Sequence, residues 1–170
     1  KQKVEMEDLE ESKDKVRLGP ERKSKVFKED TRRVSAYHES GHVIVGSYLE
    51  NADPLHKVTI IPRGRAGGLT YFLPKDDQLF YSKEYLIDAS TMAMGGRVAE
   101  ETVIGRIGTG AQNDISKASN LARKMVTKWG MSEKLGPISF DQHDEHIFLV
   151  KQLTSRQDYS ETTARDIDNE

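Results

Sequence analysis

The sequence predicts a mainly α-helical fold with one small β-hairpin, an α+β chain, and three observations predict it. Apolar residues recur at spacings of three and four in three long segments: Val34 to Tyr48, Tyr85 to Ala99 and Ile115 to Trp129. That spacing is the helix period. Between the first two segments lie Val58-Thr59-Ile60-Ile61 and Leu69-Thr70-Tyr71-Phe72-Leu73, both rich in β-branched or aromatic residues and each closed by a proline. Runs of that kind read as strands joined in a hairpin. A chain of 170 residues can enclose one domain with a real core and leave an appendage outside it.

Taken in order, residues 1 to 18 are strongly charged, with Val4, Leu9, Val16 and Leu18 as sparse apolar points. They read as a surface helix or tail closed by Gly19-Pro20. Glu21 to Asp30 is a polar linker. The first long helix is expected from about Arg32 to Leu49, with Asp30 and Thr31 as N-cap candidates. Asn51-Ala52-Asp53-Pro54 is a turn, and Gly64, Gly67 and Gly68 loosen the turn of the hairpin.

Helical period returns at Ser82, and Gly95-Gly96 is expected to interrupt it. Each glycine costs about 1 kcal/mol against alanine unless a close backbone contact compensates. Gly105 to Gly110 is a glycine-rich loop. No Gly-Lys-Ser/Thr follows it and no strand precedes it, so it is not a phosphate loop. The third helix runs to Trp129 and is stopped by Gly130, and its apolar stripe reads as core. Leu135 to Phe140 reads as loop or short strand. The chain opens without Met and closes in a helical pattern at Asp166 to Glu170, so a piece of a longer protein is expected.

Composition narrows the function. The net charge is −2, which supplies no basic field for nucleic acid. There is no Cys, so disulfides and thiolate zinc sites are excluded and any metal must sit on His and carboxylates. No apolar run reaches membrane-spanning length, and the first residues do not resemble a signal peptide. The chain as given is expected to be soluble.

His38-Glu39-Ser40-Gly41-His42 carries the chemistry. On a helix, residues i and i+4 share a face, so both imidazoles reach one metal ion. Glu39 lies about 100° around the axis, placed to act as a base on a water without ligating the metal. This is the H-E-x-x-H arrangement of zinc peptidases, and it arises by chance in roughly one such chain in a hundred. The plain alternative is a helix carrying two surface histidines and a solvated Glu. Both histidines border the apolar stripe, however, which suits a metal in a cleft.

A catalytic zinc site needs three protein ligands and one open position. For the third ligand, Glu100, Glu101, the pair Glu84 and Asp88 at E-x-x-x-D spacing, and Asp114 all remain open. Asp114 also has an ordinary use, complementing a helix dipole beside a capping Asn113. His143, His146 and His56 read as solvated surface histidines. A strand edge at Gly68, Leu69, Thr70 and Tyr71 is a candidate site for an extended substrate.

Several longer motifs carry a resemblance. They are His38-Glu39-Ser40-Gly41-His42, Val58-Thr59-Ile60-Ile61-Pro62-Arg63-Gly64-Arg65, Gly95-Gly96-Arg97-Val98-Ala99-Glu100-Glu101 and Thr109-Gly110-Ala111-Gln112-Asn113-Asp114. Met131 to Pro137 and Gly19 to Ser24 extend the match. Together they resemble the peptidase domain of the FtsH family, membrane-anchored ATP-dependent AAA+ zinc proteases.

The resemblance implies a mostly helical peptidase domain with a small sheet, one Zn²⁺ held by His38, His42 and Asp114, and Glu39 as catalytic base. It implies a homo-hexameric ring, unfolded or damaged protein substrates, and ATP used only by an ATPase module outside this chain. The membrane anchor would also lie outside it, with the peptidase domain in the cytoplasm, as in bacteria, or in the equivalent organelle interior. Residues 1–18 then resemble the last ATPase helix, 19–31 a linker, and 32–170 the peptidase domain with a truncated C-terminal helix. Ser40, where Ala is usual, and Gly67-Gly68, where one Gly is usual, depart from the family pattern. Two other classes stand beside this reading: a metal-dependent hydrolase of small molecules, and an inactive metal-binding module.

Overall fold

The computed structural model describes residues 3–22, 24, 27–63, 67–74, 76–140 and 159–170. The helical segments form α1 (Met6–Leu18), α2 (Glu29–Tyr48), α3 (Lys83–Ala99), α4 (Gln112–Thr127) and α5 (Glu161–Asn169). The strands are β1 (Leu55–Thr59) and β2 (Leu69–Phe72), and α3 runs on into a π-helical turn at Glu100–Ile104. Helix α2 packs on α3, α3 packs on α4, and the hairpin lies against α2. This is the expected mainly α fold with a small antiparallel sheet.

Helix α2 begins about a turn before the expected start. Lys28 is its N-cap and makes no side-chain cap. Asp30 and Thr31 therefore lie inside the first turn, where Glu29 and Asp30 complement the helix dipole instead. Asn113 is likewise not the cap of α4: that position is Ala111, and Asn113 sits within the helix. At α3 the cap is Ser82, whose hydroxyl accepts from Tyr85 N.

The Gly95-Gly96 pair does not interrupt α3, because a close helix crossing occupies the space of the missing side chains. A Cβ on Gly41 would run into Gly95 O and sit 2.7 Å from Ala99 Cβ. A Cβ on Gly95 would lie 2.7 Å from Gly41 O, and one on Gly96 would lie 2.6 Å from His42 Nε2. Glycine at these three positions lets the α2 and α3 backbones touch, and the contact offsets the propensity cost.

In the hairpin, Val58 pairs with Thr70 and Lys57 with Tyr71, with a register shift between Leu55 and Lys57. Strand β1 starts and ends earlier than expected. Ile60 and Ile61 leave the ladder, where Thr59 Oγ1 accepts from Ile61 N and Pro62 O accepts from Arg22 N.

Helix α1 is mostly exposed, as its charge predicts, but it is tied to the hairpin at one point. Asp14 is buried and takes both Lys57 and His56 of β1, while Arg17 donates to the Tyr71 hydroxyl. His56 is therefore not a solvated histidine: its ring packs edge-on against Tyr71 and faces Asp14. The Lys57 hydrogen bond, with His56 beside it, holds the Asp14 carboxyl below its ordinary range. A lowered folded-state value means that the docking is stabilised above the ordinary carboxyl pKa and lost as pH falls through the depressed one.

Helix α4 ends at Thr127, two residues before the expected Trp129, and Gly130 follows in the left-handed conformation at φ 59°. Residues Leu135 to Phe140 form no strand, though Phe140 N bonds back to Thr127 O. Helix α5 is joined through Ser132 to Glu170 and Lys134 to Asp166. His143 and His146 lie outside the described residues. No helix among the described residues is long and apolar enough to cross a membrane.

The glycine contact supplies a test. Gly41→Ala overpacks the α2–α3 crossing, and overpacking of this kind costs about 1–3 kcal/mol. Thermal unfolding should fall by roughly 2–10 °C for a chain of this size. Gly67→Ala, which meets only Ser35 Oγ at 3.4 Å, should leave the melting temperature unchanged.

Candidate metal centre

Among the described residues, the buried side chains are more often polar than apolar. Leu86, Ala111 and Met125 are the buried hydrophobic residues, whereas His38, Glu39, His42 and Glu100 are buried together around one cleft. Buried charges persist only when paired, hydrogen-bonded or metal-coordinating, so each of these groups should have an assigned partner.

His38 and His42 lie one turn apart on α2, ring centroids 4.8 Å apart and edge to face. His42 Nδ1 is 2.8 Å from Met92 O on α3. A carbonyl only accepts, so Nδ1 carries the proton and Nε2 presents its lone pair to the cleft. His38 Nδ1 is 2.8 Å from Glu100 Oε1, a contact that turns its Nε2 the same way. Asp114, near the start of α4, completes the group: its Oδ2 lies 3.2 Å from His38 Nε2 and 3.7 Å from His42 Nε2.

One donor atom from each of His38, His42 and Asp114 lies within 4.8 Å of the others. The two Nε2 atoms are 3.1 Å apart. Three electron-rich atoms converging in a buried space repel one another unless a cation or a proton lies between them. Two imidazoles and one carboxylate with tethered second ring nitrogens suit a zinc ion in composition and orientation.

The electrostatics are consistent with that convergence. The Asp114 hydrogen bond, with Glu100 adding to it, raises the His38 pKa against the opposing pull of burial. Burial pushes the Asp114 carboxyl up, but His38, His42 and Lys117 outweigh it and the net direction is down. Burial raises the Glu39 carboxyl above its ordinary range, opposed by the Thr70 hydroxyl. Glu39 itself is outside the three-atom group, and a Cβ on Gly68 would lie 2.7 Å from its Oε1.

The other third-ligand candidates sort clearly. Glu84 is exposed, and Asp88 Oδ2 accepts from the main chain and side chain of Asn51. Glu101 pairs with Arg97 on the surface. Glu100 faces inward, taking His38 Nδ1 on one oxygen and Gly108 N on the other. It is a support for a histidine and anchors the glycine-rich loop to the site. Residues Gly68, Leu69 and Thr70 line the same cleft, of about 1210 Å³, while Tyr71 is not part of its lining.

Three contributions are hard to see in the residue pattern alone. The Met92 carbonyl, Thr70 and the glycine crossing depend on which elements meet. Glu100 had a readable signal: it stands four residues after Gly96, on the helix face turned to the histidines, while Glu101 stands four after Arg97 on the polar face.

Two helix-borne histidines with an intervening Glu, completed by a carboxylate from another helix, have the form of a metallopeptidase centre. The sequence matches the family model described as peptidase family M41 over residues 25–170, and the chain belongs to that family. It is 51% identical over 171 residues to the ATP-dependent zinc metalloprotease FtsH 3 of Symbiobacterium thermophilum, covering 100% of this chain and 27% of that protein. Identity to the ATP-dependent zinc metalloprotease FtsH of Halothermothrix orenii is also 51%, over 100% of this chain and 27% of the relative. For the protein of that name in Myxococcus xanthus it is 48%, again covering 100% and 27%. The chain thus spans about a quarter of the length of these curated relatives.

The support by Glu100 can be checked directly. Groups that orient a metal-bound histidine typically contribute 10- to 100-fold in affinity. Glu100→Ala should weaken zinc binding by about that factor in a chelator competition, while Glu84→Ala and Glu101→Ala should stay within about twofold of the parent.

Proposed function

We propose that this chain is the zinc-dependent endopeptidase domain of a larger ATP-dependent protease, with His38, His42 and Asp114 holding the metal and Glu39 serving as catalytic base. The observation that carries this reading is the convergence of the three donor atoms within 4.8 Å beside a buried carboxylate that is not one of them. The relatives' names, ATP-dependent zinc metalloprotease, support zinc and proteolysis.

When bound, zinc supplies Lewis acidity to the attacking water and to the scissile carbonyl. The chain's own groups do the rest. Glu39 accepts the water's proton on its carboxylate and returns it to the departing amine. Burial raises its affinity for that proton, which suits a group that must hold it between two steps. Glu100 and Met92 O keep the imidazoles from turning.

A cleft of about 1210 Å³ exceeds the usual size of a small-molecule site. It is bordered by β2, whose second edge has no strand neighbour among the described residues. An extended polypeptide can add there along Gly68 to Tyr71. This favours a peptide substrate over a small molecule, and an intact, buried Glu39 weighs against an inactive module.

The family resemblance supports the wider setting: unfolded or damaged protein substrates, a homo-hexameric ring, and a membrane anchor with the peptidase domain in the cytoplasm or an equivalent organelle interior. In that setting residues 1–18 belong to the ATPase module, 19–31 form the linker and 32–170 the peptidase domain. Asp14 with Lys57 and His56, and Arg63 with Glu21, then form the joint between the two.

Two experiments test the reading. Glu39→Gln should retain one zinc per chain and lose casein cleavage by about 10²–10⁴-fold, whereas Asp114→Asn should lose the metal; loss of zinc from Glu39→Gln would make Glu39 a ligand instead of a base. The isolated chain should cleave unfolded casein without ATP, stop on addition of a chelator, and spare a tightly folded protein. Degradation of the folded protein would contradict the assignment of unfolding to another module.

A further inference from the structure

Thr70 lies on β2 opposite Val58, and its side chain turns away from the sheet partner toward α2. Its Oγ1 is 2.6 Å from Glu39 Oε2 and 3.1 Å from the Glu39 main-chain O. The first distance is that of a charge-assisted hydrogen bond to a carboxylate. The second places another acceptor within reach of the same hydroxyl.

A hydroxyl has one hydrogen to give and lone pairs to receive with. Next to an ionised carboxylate and a carbonyl, both of which only accept, its hydrogen goes to the charged oxygen.

We propose that Thr70 is a positioning residue for the base, its hydroxyl holding the Glu39 carboxylate in one orientation. The inference rests on Glu39 being the base. It gives β2 a role besides substrate pairing: the strand that borders the cleft also fixes the carboxylate. Gly68 belongs to the same arrangement, since a side chain there would displace Glu39. The backbone from 68 to 70 thus supplies room on one side of the carboxylate and a hydroxyl on the other.

Thr70→Val keeps the shape and β-branching and removes the hydroxyl, while Thr70→Ser keeps the hydroxyl. With the zinc-loaded protein and an unfolded peptide, Thr70→Val should lower kcat by about 10- to 100-fold, the usual value of one hydrogen bond to a charged group. KM should stay within about twofold and zinc content at one per chain, with Thr70→Ser recovering most of the loss. A crystal structure of Thr70→Val should show β2 in place and the Glu39 carboxylate moved or spread over several rotamers.

Parent-like kcat in Thr70→Val, a rise in KM alone, equal loss in Thr70→Ser, or a Glu39 side chain unmoved in the crystal would each overturn the proposal. If the parent chain neither holds zinc nor cleaves peptides, the peptidase reading fails. The crystallographic comparison would still decide whether Thr70 positions Glu39.

Discussion

The rest of the site depends on the contact between α2 and α3 at Gly41, Gly95 and Gly96. Without side chains there, the two backbones approach until the imidazoles of His38 and His42 lie over Gly96. That closeness places Met92 O at hydrogen-bond distance from one ring and Glu100 at hydrogen-bond distance from the other. A single methyl group at the crossing would separate the helices, and every hydrogen bond behind the histidines would lengthen together. Helix propensity is sacrificed at three positions, and the orientation of two ring nitrogens is gained.

Charge then explains why the centre is built from so many acids. Glu39, Glu100 and Asp114 surround two imidazoles in a partly buried cleft. The carboxylates differ in their partners: Thr70 for Glu39, Gly108 N and His38 Nδ1 for Glu100, His38 Nε2 and Lys117 for Asp114. Glu39 and Asp114 move in opposite directions: burial pushes Glu39 up against the Thr70 hydrogen bond, whereas at Asp114 the effect of burial is outweighed by His38, His42 and Lys117. One chain thereby holds a group suited to carrying a proton and a group suited to staying ionised.

Much of this was legible in the residues because it is local. The i, i+4 spacing of the histidines, the strand pair and the end of α4 before Gly130 are all decided within a few residues. The start of α2 was misplaced because acidic residues serve equally well as a cap or in a first turn, and Lys28 gives no signal at all. His56 looked solvated because nothing near it in sequence announces Asp14, which reaches it from α1. Gly95-Gly96 looked like a helix break because its compensation comes from Gly41, 54 positions earlier than Gly95. Contacts between distant segments were the part that only the fold could show.

The central claim is that two imidazole nitrogens and the Asp114 carboxylate, without Glu39 or Glu100, hold one metal ion. Anomalous diffraction at the zinc edge, from crystals grown with one equivalent of zinc, tests it most directly. The account predicts a single peak at about 2.0–2.2 Å from His38 Nε2, His42 Nε2 and an Asp114 oxygen, with Glu39 and Glu100 not bonded to it. A peak bonded to Glu39 or Glu100, or one that leaves Asp114 out, would contradict it.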